Sequence, residues 1–329
     1  MERYISKLDI LETQSAIKIL RHRFEDEVSA ALNLSRVSAP LFVKKGSGLN
    51  DDLNGVERPV SFDIAETGEV VEVVHSLAKW KRMALAEYDV RLGSGIYTDM
   101  NAIRRDEKCD NIHSLYVDQW DWEKAISKED RNVEYLKNTV RDIYAAILKV
   151  ADEIEQKYPT LDNYLPQEIA FITSQELEDK YPSLSSKERE NAVAKEYGAV
   201  FLMQIGSKLK SGKKHDGRAP DYDDWSLNGD ILVYNRVLDA SFELSSMGIR
   251  VDKNTLMRQL QEESAQERLT LPFHKALMED KLPISIGGGI GQSRLCMLLL
   301  HKLHIGEVHV SVWPEAERKR CEELGIKLL

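Results

Sequence analysis

The stretch Gly287-Gly288-Gly289-Ile290-Gly291-Gln292-Ser293-Arg294, running into Leu295-Cys296-Met297-Leu298-Leu299-Leu300, decides how this chain is read. Four glycines let a ligand come close to the backbone, because no Cβ intervenes and positive φ costs little. Arg294 stands three residues after the last glycine, where the apolar spacing of a helix begins. A strand, a bare turn and an arginine at a helix start together suit a flat ring and an anion. The helix N-terminus offers partial positive charge, and the guanidinium offers a full one with two parallel donors. No Lys-Ser/Thr pair follows, which excludes a P-loop. Gln292 and the glycine spacing fail the dinucleotide fingerprint. A tight turn beside a close strand–helix contact is the plainer reading of the glycines taken alone.

Composition sets the outer bounds. A chain of 329 residues can bury a large core, and 42% hydrophobic with 30% charged residues is ordinary for a soluble globular protein. The net charge of −10 argues against a nucleic-acid partner. The basic run Lys208, Lys210, Lys213, Lys214 and Arg218 lies beside Asp216, Asp221, Asp223 and Asp224, so it reads as a mixed loop. Cys109, Cys296 and Cys321 show no metal or redox spacing, which fits a reducing cytoplasm. Met1 to Ser15 lacks a signal core, and no apolar run reaches membrane-spanning length.

Neither repeats nor a separating linker interrupt the chain, so residues 1–329 are expected to form one catalytic domain. Ile17, Leu20, Phe24, Val28 and Ala31 step by three and four and predict an amphipathic first helix. A short strand Leu34–Val37 ends at Ala39-Pro40, and a polar loop Gly46–Gly55 follows. Strands are expected near 60–64 and 70–74, then a helix capped by Ser76. Ile96–Arg104 and His113–Glu123 read as a hairpin around the charged loop 105–112. On its second strand Leu115, Val117, Gln119 and Asp121 share a face by the period of two. Helices are expected at 131–156 and 187–197, and strands at 169–173 and 199–204. A long irregular loop should span 205–228. Beyond it come strands at 230–234 and 241–250, helices near 252–263 and 272–280, the glycine motif, and a last strand Val308–Trp313. Hairpins outnumber βαβ crossovers, which predicts an α+β fold with an antiparallel β-sheet flanked by helices.

Several polar groups stand out on this framework. Arg104 ends the first hairpin strand with Asp106 after it, and a solvated loop charge is its bland alternative. Asp230, Glu243 and Ser246 offer hard oxygen ligands of the kind Mg²⁺ accepts. An amino-acid substrate needs an anion for its ammonium and cations for its carboxylates. Asp121 with Gln119, or Asp51, can serve the first need, and Lys81 with Ser76 the second. Lys79 and Arg82 read as exposed helix charges, and Asp221-Tyr222-Asp223-Asp224 reads as an acidic surface loop.

The glycine stretch resembles the third signature motif of class II aminoacyl-tRNA synthetases, although those enzymes carry an acid where this chain has Ser293. The first helix with Pro40 resembles the first motif, and 96–123 the second. A class II synthetase-like catalytic core is therefore expected. The first motif comes so early that no room is left for an anticodon-reading barrel, which implies amino-acid activation without tRNA.

The phrases Val-Val-His-Ser-Leu-Ala-Lys-Trp-Lys-Arg (73–82), Tyr-Val-Asp-Gln-Trp-Asp-Trp-Glu (116–123), Ala-Pro-Asp-Tyr-Asp-Asp-Trp-Ser (219–226) and Phe-Glu-Leu-Ser-Ser-Met-Gly-Ile-Arg (242–250) resemble bacterial ammonia-dependent asparagine synthetases. That resemblance implies conversion of L-aspartate and ammonia to L-asparagine through β-aspartyl-AMP, with ATP as co-substrate and Mg²⁺ as cofactor. It implies ATP contacts from Arg104, Asp223, Asp230, Glu243, Gly289, Gly291 and Arg294, with Asp230 and Glu243 holding the metal. It implies aspartate contacts from Ser76, Lys81, Gln119, Asp121, Ser246 and Arg250. Arg104 and Arg294 would act in catalysis, Asp51 is inferred to take the proton from ammonia, and a homodimer through the first motif is implied. A stand-alone synthetase paralogue that activates aspartate or asparagine for transfer to tRNA or protein is the alternative.

Overall fold

The computed structural model describes residues 4–51 and 57–329; Met1 to Arg3 and Gly55, the far end of the polar loop, lie outside them. In chain order the elements are α1 (Ile10–Leu32), β1 (Leu34–Arg36), β2 (Phe42–Lys44), β3 (Ser61–Asp63), β4 (Val70–Val73), α2 (Ala78–Glu87), β5 (Gly95–Ile103), β6 (Tyr116–Ala125) and α3 (Val133–Lys157). There follow β7 (Ala170–Thr173), α4 (Ser174–Lys180), α5 (Ser186–Tyr197), β8 (Ala199–Met203), β9 (Asp223–Asn235), β10 (Ala240–Arg250), α6 (Lys253–Glu262), α7 (Pro272–Met278), β11 (Ser285–Gly291), α8 (Gln292–Leu299) and α9 (Glu315–Leu324).

Eight strands form the main sheet in the order β1-β5-β6-β11-β10-β9-β8-β7, and β2-β4-β3 make a small antiparallel sheet. The main sheet is antiparallel except at its ends, where β1 pairs with β5 and β7 with β8 in parallel. Asp9 starts α1 with a capping box: its carboxylate accepts from the Glu12 N–H at 2.8 Å, and Glu12 returns the bond at 3.0 Å. The helix buries Ala16, Ile17, Leu20, Phe24, Val28 and Leu32, so the stripe ends on Leu32 and not Ala31. These side chains meet Val140, Ile143, Ile147 and Val150 of α3, and Trp120, Ile231, Phe242, Met247 and Ile290 of the sheet. Each large side chain buried here contributes roughly 1.5–3 kcal/mol. One face of the sheet is thereby sealed; on the other, α4 and α5 cover Val200, Leu202 and Leu232 near one end, and the polar groups gather between that end and α2.

Some expectations change. The irregular loop after Gln204 is shorter than expected, because β9 begins at Asp223, and β2, α4 and α9 were not foreseen. Residues 308–313 are not a strand: the alternation is there, but no neighbouring strand pairs with it. The second hairpin strand begins at Tyr116 instead of His113. Leu77, not Ser76, caps α2; the Ser76 hydroxyl instead accepts from the Ala78 N–H at 3.1 Å. No helix among the described residues is long and apolar enough to cross a membrane.

Candidate active site

The glycine motif is the central strand β11, and its composition follows from its two faces. Gly287, Gly289 and Gly291 pair with Glu123, Asp121 and Gln119 of β6, while Ile286 and Ile290 point into the core. A Cβ on Gly289 would stand 2.3 Å from Gln119 Oε1, and one on Gly287 would stand 2.5 Å from an Arg250 nitrogen. Polar side chains from β6 and β10 thus lean across the glycine part of the strand, while Ser285 at its start donates to Glu123 at 2.7 Å.

Glu243 and Ser246 are three residues apart, and strict alternation would put them on opposite faces. An extra residue between Glu243 and Ser245 breaks the register, so Ser246 pairs with Asp230 and both Glu243 and Ser246 reach the open face. Above them lie two adjoining cavities of about 340 Å³ each, which share Arg104, Gln119 and Glu243. Gly289, Gly291 and Arg294 line the first, and Arg218, Tyr222 and Ser246 line the second.

The two arginines of this space are lightly engaged. Arg104 Nε is buried with no hydrogen-bond partner among the described residues. Arg294 donates Nη1 to the Glu243 carbonyl at 3.0 Å and stands 3.7 Å from that residue's carboxylate. Both keep donors for an anion.

A second tier of charges is fully engaged. Arg250 is 2% exposed; it grips Glu123 with Nε at 3.0 Å and Nη2 at 2.7 Å, and turns Nη1 to Asp223. Lys81, 1% exposed, donates to Asp121 at 2.5 Å and to the Gly288 carbonyl at 3.0 Å. Burial pushes the Lys81 pKa down, although Asp121 opposes the shift. Asp121 keeps a second carboxylate oxygen, buried and without a partner among the described residues.

Lys79 and Arg82 are buried too, correcting the expectation of exposed helix charges: Lys79 bonds Asp221, and Arg82 bonds the carbonyls of Val251 and Pro283. Likewise Asp221, Asp223 and Asp224 are buried, so their segment is no surface loop.

Asp230 sits beneath the cavity floor. Burial raises its pKa to about 7; Arg218 pulls it down and Glu243 pushes it up further. Its Oδ1 is buried and has no partner among the described residues. A desolvated carboxylate beside a second carboxylate and a hydroxyl fits a hard divalent cation. A different cluster, His304, Glu317 and Cys321, does not fit one. The Gly306 N–H donates to His304 Nδ1 at 2.9 Å, so the ring proton sits on Nε2, which then lacks the lone pair a metal needs.

Asp51 lies apart from the nucleotide-sized space. It lines a third cavity of about 260 Å³ with Lys79, Asp221 and Arg268, and its backbone carbonyl accepts from His75 Nδ1 at 2.9 Å. Tyr222 stands between the regions: burial raises its hydroxyl pKa, and the Asp51 charge raises it further. The structure therefore gathers Arg104, Gln119, Glu243, Ser246, Gly289, Gly291 and Arg294 around one space. It places Lys81, Asp121, Asp223 and Arg250 in a buried ionic layer beside it.

Sequence reasoning missed Arg218 and Tyr222, and also the group formed by Asp118, Ser293, Arg21 and His309. Ser293, standing where the resembling synthetases carry an acid, was the available signal for that last group.

An eight-stranded, mainly antiparallel sheet flanked by helices, with an arginine-lined cavity over its central strands, defines a class II aminoacyl-tRNA synthetase-like catalytic core. Asparaginyl-tRNA synthetase from Pyrococcus horikoshii, complexed with asparaginyl-adenylate, superposes with a TM-score of 0.66 over 92% of this chain and 70% of its own, at 13% identity. Aspartyl-tRNA synthetase from Entamoeba histolytica gives 0.62 over 92% and 58%, also at 13% identity. Within that class the assignment is narrower. The aspartate–ammonia ligase family model matches residues 11–325. Aspartate–ammonia ligases from Clostridium perfringens and Fusobacterium nucleatum are each 61% identical, over 99% of this chain and 97% and 99% of theirs. The chain belongs to the aspartate–ammonia ligase family.

Proposed function

We propose that this protein makes L-asparagine from L-aspartate, ammonia and ATP through β-aspartyl-AMP, releasing AMP and pyrophosphate. Its family membership supports the overall reaction. The observation that carries the mechanism is the pair of lightly engaged guanidiniums over a bare glycine floor.

A carboxylate resists attack by ammonia because oxide is a poor leaving group, whereas AMP leaves readily. The aspartate β-carboxylate therefore attacks the α-phosphorus of ATP first and displaces pyrophosphate. Negative charge builds on that phosphorus, and preorganised donors from Arg104 and Arg294 lower its cost. Asp230 and Glu243 would hold Mg²⁺, which would supply charge neutralisation for the phosphates, with Ser246 beside them as a contact for aspartate. Lys81 and Arg250 would meet the substrate carboxylates, with Gln119 and Asp121 at its ammonium. Asp223, in salt bridge with Arg250, would keep that guanidinium oriented. Ser76, just before α2, would share the carboxylate contact with Lys81. Ammonia then attacks the acyl carbon, AMP departs, and Asp51 takes the proton lost by nitrogen.

The chain acts as one catalytic domain in a reducing cytoplasm, which its three free cysteines support. It works as a homodimer through α1 and β1, with β1 at the end of the sheet supporting this pairing. Its acidity supports a reaction without nucleic acid.

Incubation with ATP, Mg²⁺, aspartate and ammonium should yield AMP and asparagine in equal amounts. An adenylate discharged only on adding tRNA or a protein acceptor would replace this reading with the transfer alternative.

A further inference from the structure

Helix α8 carries Arg294 in its first turn, yet its start is poorly secured by its own residues. Gly291 precedes it and brings no side chain to cap the free N–H groups. The cap comes from another strand. Asp118 of β6 accepts from the Ser293 N–H with Oδ1 at 3.0 Å and from the Ser293 hydroxyl with Oδ2 at 2.8 Å. Arg21 of α1 donates Nη2 to the same Oδ2 at 2.7 Å and to the Ser293 hydroxyl at 3.2 Å. His309 Nδ1 closes the group at 2.9 Å from that hydroxyl. Asp118, Ser293 and His309 are all under a tenth exposed, so the group is a built one.

It is not a nucleophile–base relay. The same imidazole nitrogen faces both the Ser293 hydroxyl, at 2.9 Å, and Asp118, at 3.8 Å, so the ring does not link them in series.

We infer that Asp118 is the positioning residue for Arg294: a carboxylate on β6 that caps α8, ties it to α1 and so aims the arginine into the nucleotide cavity. Among the described residues the guanidinium itself is met only by β10, through the Glu243 carbonyl at 3.0 Å, the Glu243 carboxylate at 3.7 Å and the Phe242 ring, so the start of α8 depends on Asp118. A carboxylate at a helix start also meets the positive end of the helix dipole. The Arg21 guanidinium offsets the charge that Asp118 would otherwise present to a phosphate. The inference rests on the ATP-using reaction proposed above.

The test is a relocated carboxylate, because Ser293 shares the donors of Asp118. The full-length protein is titrated with ATP by calorimetry and assayed for aspartate-dependent ATP–pyrophosphate exchange. Asp118→Asn should weaken ATP binding about tenfold or more, while the KM for aspartate stays within about twofold and the melting temperature within a few degrees. Ser293→Asp alone crowds two carboxylates onto the same donors and should also weaken ATP binding. The double variant Asp118→Ser with Ser293→Asp keeps the net charge and should recover to within about threefold of wild type. Equal losses for ATP and aspartate, or a folded double variant that shows no recovery, would overturn the inference. A wild-type protein that does not bind ATP would sink the proposed function and this inference together. Normal wild-type binding that Asp118→Asn leaves unchanged would sink the inference alone.

Discussion

Two sets of cations flank β11, and they differ in how fully they are engaged. Arg250 and Lys81 lie buried with their carboxylates already in hand. Arg104 and Arg294 line the cavity with donors left over. The contrast separates cations that a protein carboxylate already fixes in place from cations that keep unused donors. Desolvating an unpaired charge is expensive, so a buried cation is stable only with its partners. A half-buried one can stay open because water serves it until an anion arrives.

The sharpest way to break this distinction is to remove one member of each set. Arg250→Ala leaves Glu123 and Asp223 buried without their counter-charge. It should destabilise the fold by about 3–5 kcal/mol, read from urea unfolding. A loss below 1 kcal/mol would show that the caged set is dispensable. Arg104→Ala and Arg294→Ala should do the reverse. Each should lower aspartate-dependent ATP–pyrophosphate exchange about a hundredfold or more, for roughly 2–4 kcal/mol of transition-state stabilisation, with unfolding nearly unchanged. Exchange surviving within a fewfold would end their assignment to the phosphates.

Asp51 belongs to neither set, since it is an anion lining a cavity of its own. Asp51→Asn should leave pyrophosphate exchange in place while asparagine formation drops by about a hundredfold and the KM for ammonia rises. A parallel fall of both half-reactions would make Asp51 a ligand of the substrate ammonium instead.

The smallest effects should separate two adjacent glycines. A Cβ on Gly288 would meet Met247 Cβ at 2.5 Å and the Ser246 carbonyl at 2.7 Å, which is backbone and packed core. Gly288→Ala should therefore cost about 1–3 kcal/mol of stability. On Gly289 the obstacle is the flexible end of Gln119. Gly289→Ala should spare stability and raise substrate KM values severalfold. Identical behaviour of the two variants would deny β11 its two distinct faces.

The elements around this site were largely legible in the chain. The β5–β6 hairpin and the β11–α8 turn announce themselves through alternation and glycine, which are local signals. The burial of Lys79, Arg82 and Asp221 was not legible, because their burial depends on partners far away in sequence, such as the Lys79–Asp221 bond across 142 positions. The Glu243–Ser246 alignment was assigned from resemblance; the bulge that produces it is a register break, which composition does not reveal. The Val308–Trp313 segment failed for the opposite reason: its pattern is strand-like, but the fold offers it no edge. Asp118 was not legible because it lies on the face of β6 that carries Trp120 and Trp122 into the core, opposite Gln119 and Asp121, and its partners Arg21 and Ser293 are distant in sequence.

The place of β11 in the sheet also bears on how the chain is made. Among the described residues it is the last strand to be synthesised, yet it lies between β6 and β10, joining β1-β5-β6 to β10-β9-β8-β7. While the chain leaves the ribosome, both half-sheets must wait with an unpaired edge until residues 285–291 emerge. Such edges are templates for mispairing, and on the β6 side the contacts that close them, such as Ser285 with Ala125, span more than a hundred residues. The strand that keeps the cavity open is therefore also the keystone of assembly, and a chain cut short before Ser285 would carry two sticky sheets in place of one closed one.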